Sequence, residues 1–180
     1  MNRRLLFVVI TLFTLATLGI AQDRDQASAK AQERIVREVR HELLMLPYLD
    51  VFDYIAFKVD GFTVTLLGQV VRPSLKSDCE NVVKRIEGVE KVDNQIEVLP
   101  PSPMDDRLRT RLFRAIYGYP SLQKYALGVQ KPIRIIVKNG NVSLEGVIDS
   151  QGDKNVAGIR ANSVSGIFSV NNNLQVVSPK

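Results

Sequence analysis

Val64-Thr65-Leu66-Leu67-Gly68, with Gly88-Val89-Glu90-Lys91-Val92-Asp93-Asn94-Gln95-Ile96-Glu97-Val98 beginning twenty residues after that glycine, occurs twice in this chain. The second copy is Val142-Ser143-Leu144-Glu145-Gly146, then Gly166-Ile167-Phe168-Ser169-Val170-Asn171-Asn172-Asn173-Leu174-Gln175-Val176, displaced by 78 residues. Lys58 to Leu99 aligns on Ile136 to Val177 without a gap, and nine positions are identical, both glycines among them. Glycines and alternating apolar positions are retained while helix and surface residues differ, as expected of two diverged copies of one small fold. A chain of 180 residues therefore divides into two units of roughly 70 residues. Domains of that size bury only about 60% of their unfolded surface, so the two units gain from packing together.

Periodicity supplies the elements of each unit. Ile35, Val39, Leu43 and Leu46 recur at helical spacing, which predicts a helix from Lys30 to Leu46 that ends before Pro47. Tyr54 to Val59 alternates as a strand, Asp60-Gly61 signals a hairpin, and Phe62 to Val70 returns. Gly68 inside that return strand implies a bulge or a close backbone approach. Pro73 opens a helix that Gly88 stops, and Val89 to Leu99 forms the last strand. The second unit repeats this order: a helix from Met104 to Tyr117, a strand from Ile133 to Val137, a turn at Asn139-Gly140, a strand from Asn141 to Ile148, a helix from Gly152 to Ser165, and a strand from Ile167 to Val177. Five extra residues fall near Leu127 to Lys131. The expected class is α+β: two tandem α-β-β-α-β units, each a small three-stranded mixed sheet covered on one face by two helices.

The N-terminus reads as an export signal. Arg3 and Arg4 precede an apolar and threonine run, Leu5 to Leu18, and Gly19-Ile20-Ala21 places small residues before a cleavage point. The run is short for a membrane span, which needs about 20 apolar residues; an uncleaved anchor is the alternative. The organisation is then signal peptide 1–21, flexible leader 22–29, first unit 30–99, Pro-rich linker 100–103 and second unit 104–178. Removal of Arg3 and Arg4 lowers 24 basic residues to 22, against 19 acidic ones, a mild excess that does not call for nucleic acid. Neither a GxxG loop nor a ribonucleoprotein aromatic motif is present. Cys79, the single cysteine, makes no internal disulfide and falls on an apolar helix face.

The duplicated core resembles the BON domain, a bacterial osmotic-stress and nodulation module. The residues that carry the likeness are Gly68, Gly88-Val89, Val92 and Asn94 in one copy and Gly146, Gly166-Ile167, Val170 and Asn172 in the other. The resemblance implies the α-β-β-α-β fold, a periplasmic or other envelope location, association with phospholipid or osmotic stress, and no catalytic residues. It does not locate a binding site, because the motif residues read as structural.

No catalytic constellation is visible. The chain has one histidine, His41, and one cysteine, without a recognisable nucleophile–base pair, metal-ligand cluster or phosphate-binding loop; no enzyme activity and no cofactor are expected. The distinctive surface is the first helix of the second unit. Leu108, Leu112, Ala115 and Ile116 form its core stripe, while Arg107, Arg111 and Arg114 share another face. Phe113 and Tyr117 lie between these faces, and Tyr119, Tyr125, Lys124 and Lys131 follow. A basic, aromatic helix suits a membrane interface, so Arg107, Arg111, Arg114, Phe113, Tyr117, Tyr119, Lys124 and Lys131 form a candidate surface for anionic phospholipid. In the alternative reading Phe113 and Tyr117 widen the buried stripe or pack on the first unit, and the arginines are an ordinary solvated face. A protein-interaction adaptor or holdase-like stress protein, docking an envelope partner on an open sheet face or edge, is the competing function.

Overall fold

The computed structural model describes residues 29–128 and 130–177; the signal segment and residues 22–28 of the leader lie outside them. Helix α1 spans residues 29–44. It is followed by strands β1 (Tyr54–Asp60) and β2 (Thr63–Val70), helix α2 (Pro73–Lys84), and strands β3 (Lys91–Asn94) and β4 (Glu97–Val98). The second unit contains α3 (Pro103–Tyr117), a 3-10 segment (Pro120–Ala126), β5 (Ile133–Lys138), β6 (Asn141–Ile148), α4 (Gln151–Asn162), β7 (Ser169–Asn172) and β8 (Gln175–Val176). Each β-hairpin is antiparallel, and the later strands pair with its second strand in parallel. Thr63 opposite Lys91 and Asn141 opposite Ser169 reproduce the 78-residue displacement in three dimensions.

Three features depart from the expected elements, the first being the 3-10 segment Pro120–Ala126, where only a loop is expected. The last strand of each unit is split, so each sheet has four strands rather than three. Asn94 is the cause in the first unit. Its side-chain amide donates to Lys76 O at 2.9 Å, and its Oδ1 accepts from Ile96 N at 3.2 Å, diverting that N–H from the ladder. Asn172 does the same in the second, donating to Lys154 O at 2.7 Å and accepting from Leu174 N at 3.4 Å. The kink turns Ile96 and Leu174 inward, each 1% exposed. The first hairpin turn is also one residue later than predicted. Asp60 pairs with Thr63, so Gly61-Phe62 forms the turn. Only Gly61 has positive φ there (58°), whereas Asn139 and Gly140 both do (51° and 75°), matching the first-position glycine and the Asn-Gly alternatives for two-residue hairpins.

Gly68 and Gly146 mark close backbone approaches. Their φ values are 120° and 118°, and an added Cβ would lie 2.0 Å from Tyr54 O and 1.9 Å from Pro132 O. Only glycine lets the second strand cross the start of the first at this distance.

Each unit has its own core beneath its helices. Ile35, Val39, Val64, Leu66, Leu75 and Cys79 anchor the first, and Leu108, Leu112, Ile116, Ile133, Ile135 and Leu144 anchor the second. Full burial of such side chains stabilises by about 1.5–3 kcal/mol each before ordering costs. Burial also pushes the Cys79 thiol up to about 12.

The loop before β1 joins the units. Val51 belongs to the second core, and its carbonyl accepts from Ile135 N at 2.9 Å on the otherwise open edge of β5. Asp53 holds the loop in shape, its carboxylate accepting from Val71 N at 2.8 Å and Asp50 N at 3.0 Å. Arg134 donates to Asp50 O at 2.8 Å. Lys138 pairs with Glu97, and Ile136, on the face of its strand opposite Ile135, is 2% exposed. Part of the sheet surface that could have received a partner strand is thus occupied by the sister unit.

Candidate functional site

Helix α3 is fixed at both ends. Pro103 takes the first helical position and Ser102 Oγ accepts from Asp105 N at 3.2 Å. Asp105, 1% exposed, accepts from Asn139 N and Gly140 N at 2.9 Å each, tying the first turn of α3 to the β5–β6 hairpin. Arg109, 3% exposed, donates to Val137 O at 2.7 Å and to Asp106 at 2.6 Å. At the far end Tyr117 donates its hydroxyl proton to Ile133 O at 2.7 Å, and the same oxygen accepts from Ile133 N at 3.1 Å.

With Leu108, Leu112 and Ile116 fully buried, the opposite face of α3 is fixed by the helix repeat. Arg107, Arg111 and Arg114 are exposed there and line one shallow groove with Asp106 and Thr110. Among the described residues none of the three arginines makes an ion pair; Arg111 donates to Ser165 Oγ at 3.3 Å. The sequence reading thus places the arginine ridge on a free surface.

The aromatic part of that reading is corrected. Tyr117 is a core residue, 4% exposed, and desolvation holds its phenol well above the usual range. Phe113 is half-buried: its ring lies 5.0 Å from Tyr117 and 6.4 Å from Phe52, edge-on to the latter, so it seals the junction with the first unit. Tyr119 is 38% exposed but lies beneath the Arg160 guanidinium, 5.1 Å from the ring centroid. Lys124 sits 2.9 Å from both Asp149 and Asp153, whose hydrogen bonds raise its ammonium above the ordinary range, so its charge is already compensated. Tyr125 is buried and donates into the same two carboxylates. Lys131 is half-buried, in a cleft between the units lined also by Leu43, Ile55 and Arg134. Of the eight candidates, the three arginines make the coherent exposed set. Phe168, at 76% exposure, is an aromatic that the sequence reading did not select.

No helix among the described residues is long and apolar enough to cross a membrane, and no metal-binding cluster of three or more side chains occurs among them. The molecule is a pair of fused α+β units presenting a basic helix face.

BON domains match residues 31–100 and 105–178, and the chain belongs to the BON family. That family is associated with envelope and osmotic-stress proteins, is generally non-enzymatic, and is typically secreted or periplasmic. No curated protein matches the chain. Among solved structures, CdsD, a structural protein of the type III secretion system of Chlamydia trachomatis, is similar at 14% identity and a TM-score of 0.31, covering 82% of this chain and 94% of that one. The C-terminal domain of CdsD is similar at 14% identity and a TM-score of 0.29, covering 79% and 96%.

Proposed function

We propose that this chain is an exported envelope protein that docks peripherally on anionic phospholipid through Arg107, Arg111 and Arg114. The observation that carries the proposal is the unpaired arginine ridge on α3, held in place by a helix that is capped, stapled to the hairpin and fully packed on its other side. Each basic residue close to an anionic surface contributes roughly 1 kcal/mol, so three give weak, reversible and salt-sensitive docking. Export is supported by Arg3, Arg4 and the apolar run that follows. Family membership supports envelope maintenance or osmotic stress as the setting. The direct test is co-sedimentation with vesicles containing phosphatidylglycerol. Replacing the three arginines together with glutamine removes binding on this reading; undiminished binding refutes the site.

A further inference from the structure

We infer that Phe168 is the apolar anchor of this surface, a ring that enters the lipid interface beside the arginine ridge. The inference rests on the docking reading above and adds a site to it. Phe168 is 76% exposed, and its position is prepared by the fold. Its N–H donates to Gly140 O at 2.9 Å, and its ring covers Gly140, where an added Cβ would lie only 2.7 Å from Cδ2. Gly140 N is in turn held by Asp105 in the first turn of α3. Three residues before Phe168, Ser165 receives the Arg111 guanidinium at 3.3 Å. The ring and the ridge therefore stand on one braced end of the second unit. Met104, also in the first turn of α3, adds a second apolar side chain, 45% exposed.

Charge at this end favours an anionic lipid surface over water alone. The first unit has Asp60, Glu87 and Glu90 at the positions where the second has Lys138, Ser165 and Phe168; Lys138 is paired with Glu97, so the change at this end is the loss of acids, and Arg107 and Arg111 supply the free positive charge. All three acids are gone, and one is replaced by the exposed ring. A basic rim around an apolar tip is the composition of an interfacial anchor, in which charge attracts and the ring is buried among headgroups. Aromatic burial persists at salt concentrations that screen the arginines.

The chain contains no tryptophan, so F168W carries a single tryptophan reporter, excited selectively over the five tyrosines. With the mature chain, residues 22–180, and vesicles of equal parts phosphatidylglycerol and phosphatidylcholine, F168W emission is expected to shift to the blue and to be quenched by brominated acyl chains. E90W, at the equivalent position of the first unit, is expected to stay in water. F168S is expected to bind about tenfold more weakly or worse, from the transfer free energy of a largely buried ring, with an unchanged melting temperature. If the unsubstituted chain does not sediment with these vesicles, the docking reading fails and the anchor with it. If it sediments while F168W shows no shift, or a shift equal to that of E90W, or while F168S binds as tightly as the unsubstituted chain, the anchor is overturned and docking by arginine alone stands.

Discussion

The first helix of each unit borders a surface groove, and the two grooves differ in charge and in walls: the first lies between α1 and the end of α2, the second along α3 alone. Arg37, Glu38, His41, Glu42, Arg85 and Glu87 line the first, two arginines against three acids. Asp106, Arg107, Arg111 and Arg114 line the second, three cations against one acid, with Thr110 between them. The two helices also use their charges differently. In α1, Arg34 pairs with Glu38 and Glu87, and Arg37 with Glu33, so that charge is spent within the unit. In α3 the buried Arg109 does the internal bonding, and the surface arginines are left for something else. Duplication has kept one copy's chemistry turned inward and opened the other's outward, on a backbone whose strand registers coincide.

The shared features offer the strongest way to break this comparison. G68A and G146A each force a side chain into a positive-φ position with Cβ against a carbonyl, and each should cost about 3 kcal/mol or more. Thermal unfolding should show similar losses for both, because the close approach serves the fold and not the surface. A loss confined to one unit would mean that the copies are not held in the same way. The difference between the copies is tested by the triple arginine-to-glutamine substitution. It should weaken vesicle binding by about 3 kcal/mol at low salt, roughly 1 kcal/mol per charge. Its effect on the melting temperature should be small, since exposed substitutions outside buried networks usually fall within about 0.5 kcal/mol and the Arg111–Ser165 hydrogen bond is exposed.

Much of the fold was legible because it rests on backbone signals. Gly68 announced a bulge or a close approach, Asn139-Gly140 a turn, and Leu108, Leu112 and Ile116 a buried helix face, and each of these is where local sequence and tertiary structure ask for the same residue. The split strand was not legible, since it depends on Asn94 and Asn172 reaching helix backbone 18 residues away. Tyr117 was misplaced for a related reason. On a helical wheel it lies on a flank, but the donor and acceptor that bury it belong to Ile133, beyond the 3-10 segment. Phe113 followed Tyr117 into the junction because Phe52 arrives there from the other unit. The arginine ridge was visible because three cations at spacings of four and three need no tertiary partner to share a face. Phe168 carried a signal that went unread: a ring standing where the aligned copy has Glu90.

Smaller effects separate packing from surface. Y117F removes a hydroxyl that both donates to and accepts from the Ile133 backbone, leaving a buried N–H without its partner. A destabilisation of about 2 kcal/mol is expected, with vesicle binding unchanged once the chain is folded. Urea unfolding together with co-sedimentation checks both halves. Cys79 offers the mildest probe. With its thiol pushed up to about 12 by burial, very little thiolate exists at pH 8, and a thiol reagent should react slowly with the native chain and rapidly after denaturation. Fast native labelling would show that the core of the first unit opens far more readily than its packing implies.

On the docking proposal it is the second unit, not the chain's overall basic charge, that meets the membrane. The measurement that bears on it most directly compares two triple variants in one phosphatidylglycerol vesicle assay across a salt titration. One lacks Arg107, Arg111 and Arg114; the other lacks Arg37, Arg40 and Arg85, three exposed arginines of the first unit. Both replacements are to glutamine, so the two proteins carry the same net charge. The first variant should lose binding and its salt dependence while the second binds nearly as the unsubstituted chain does. Equal losses in both, or none in either, would contradict the proposal.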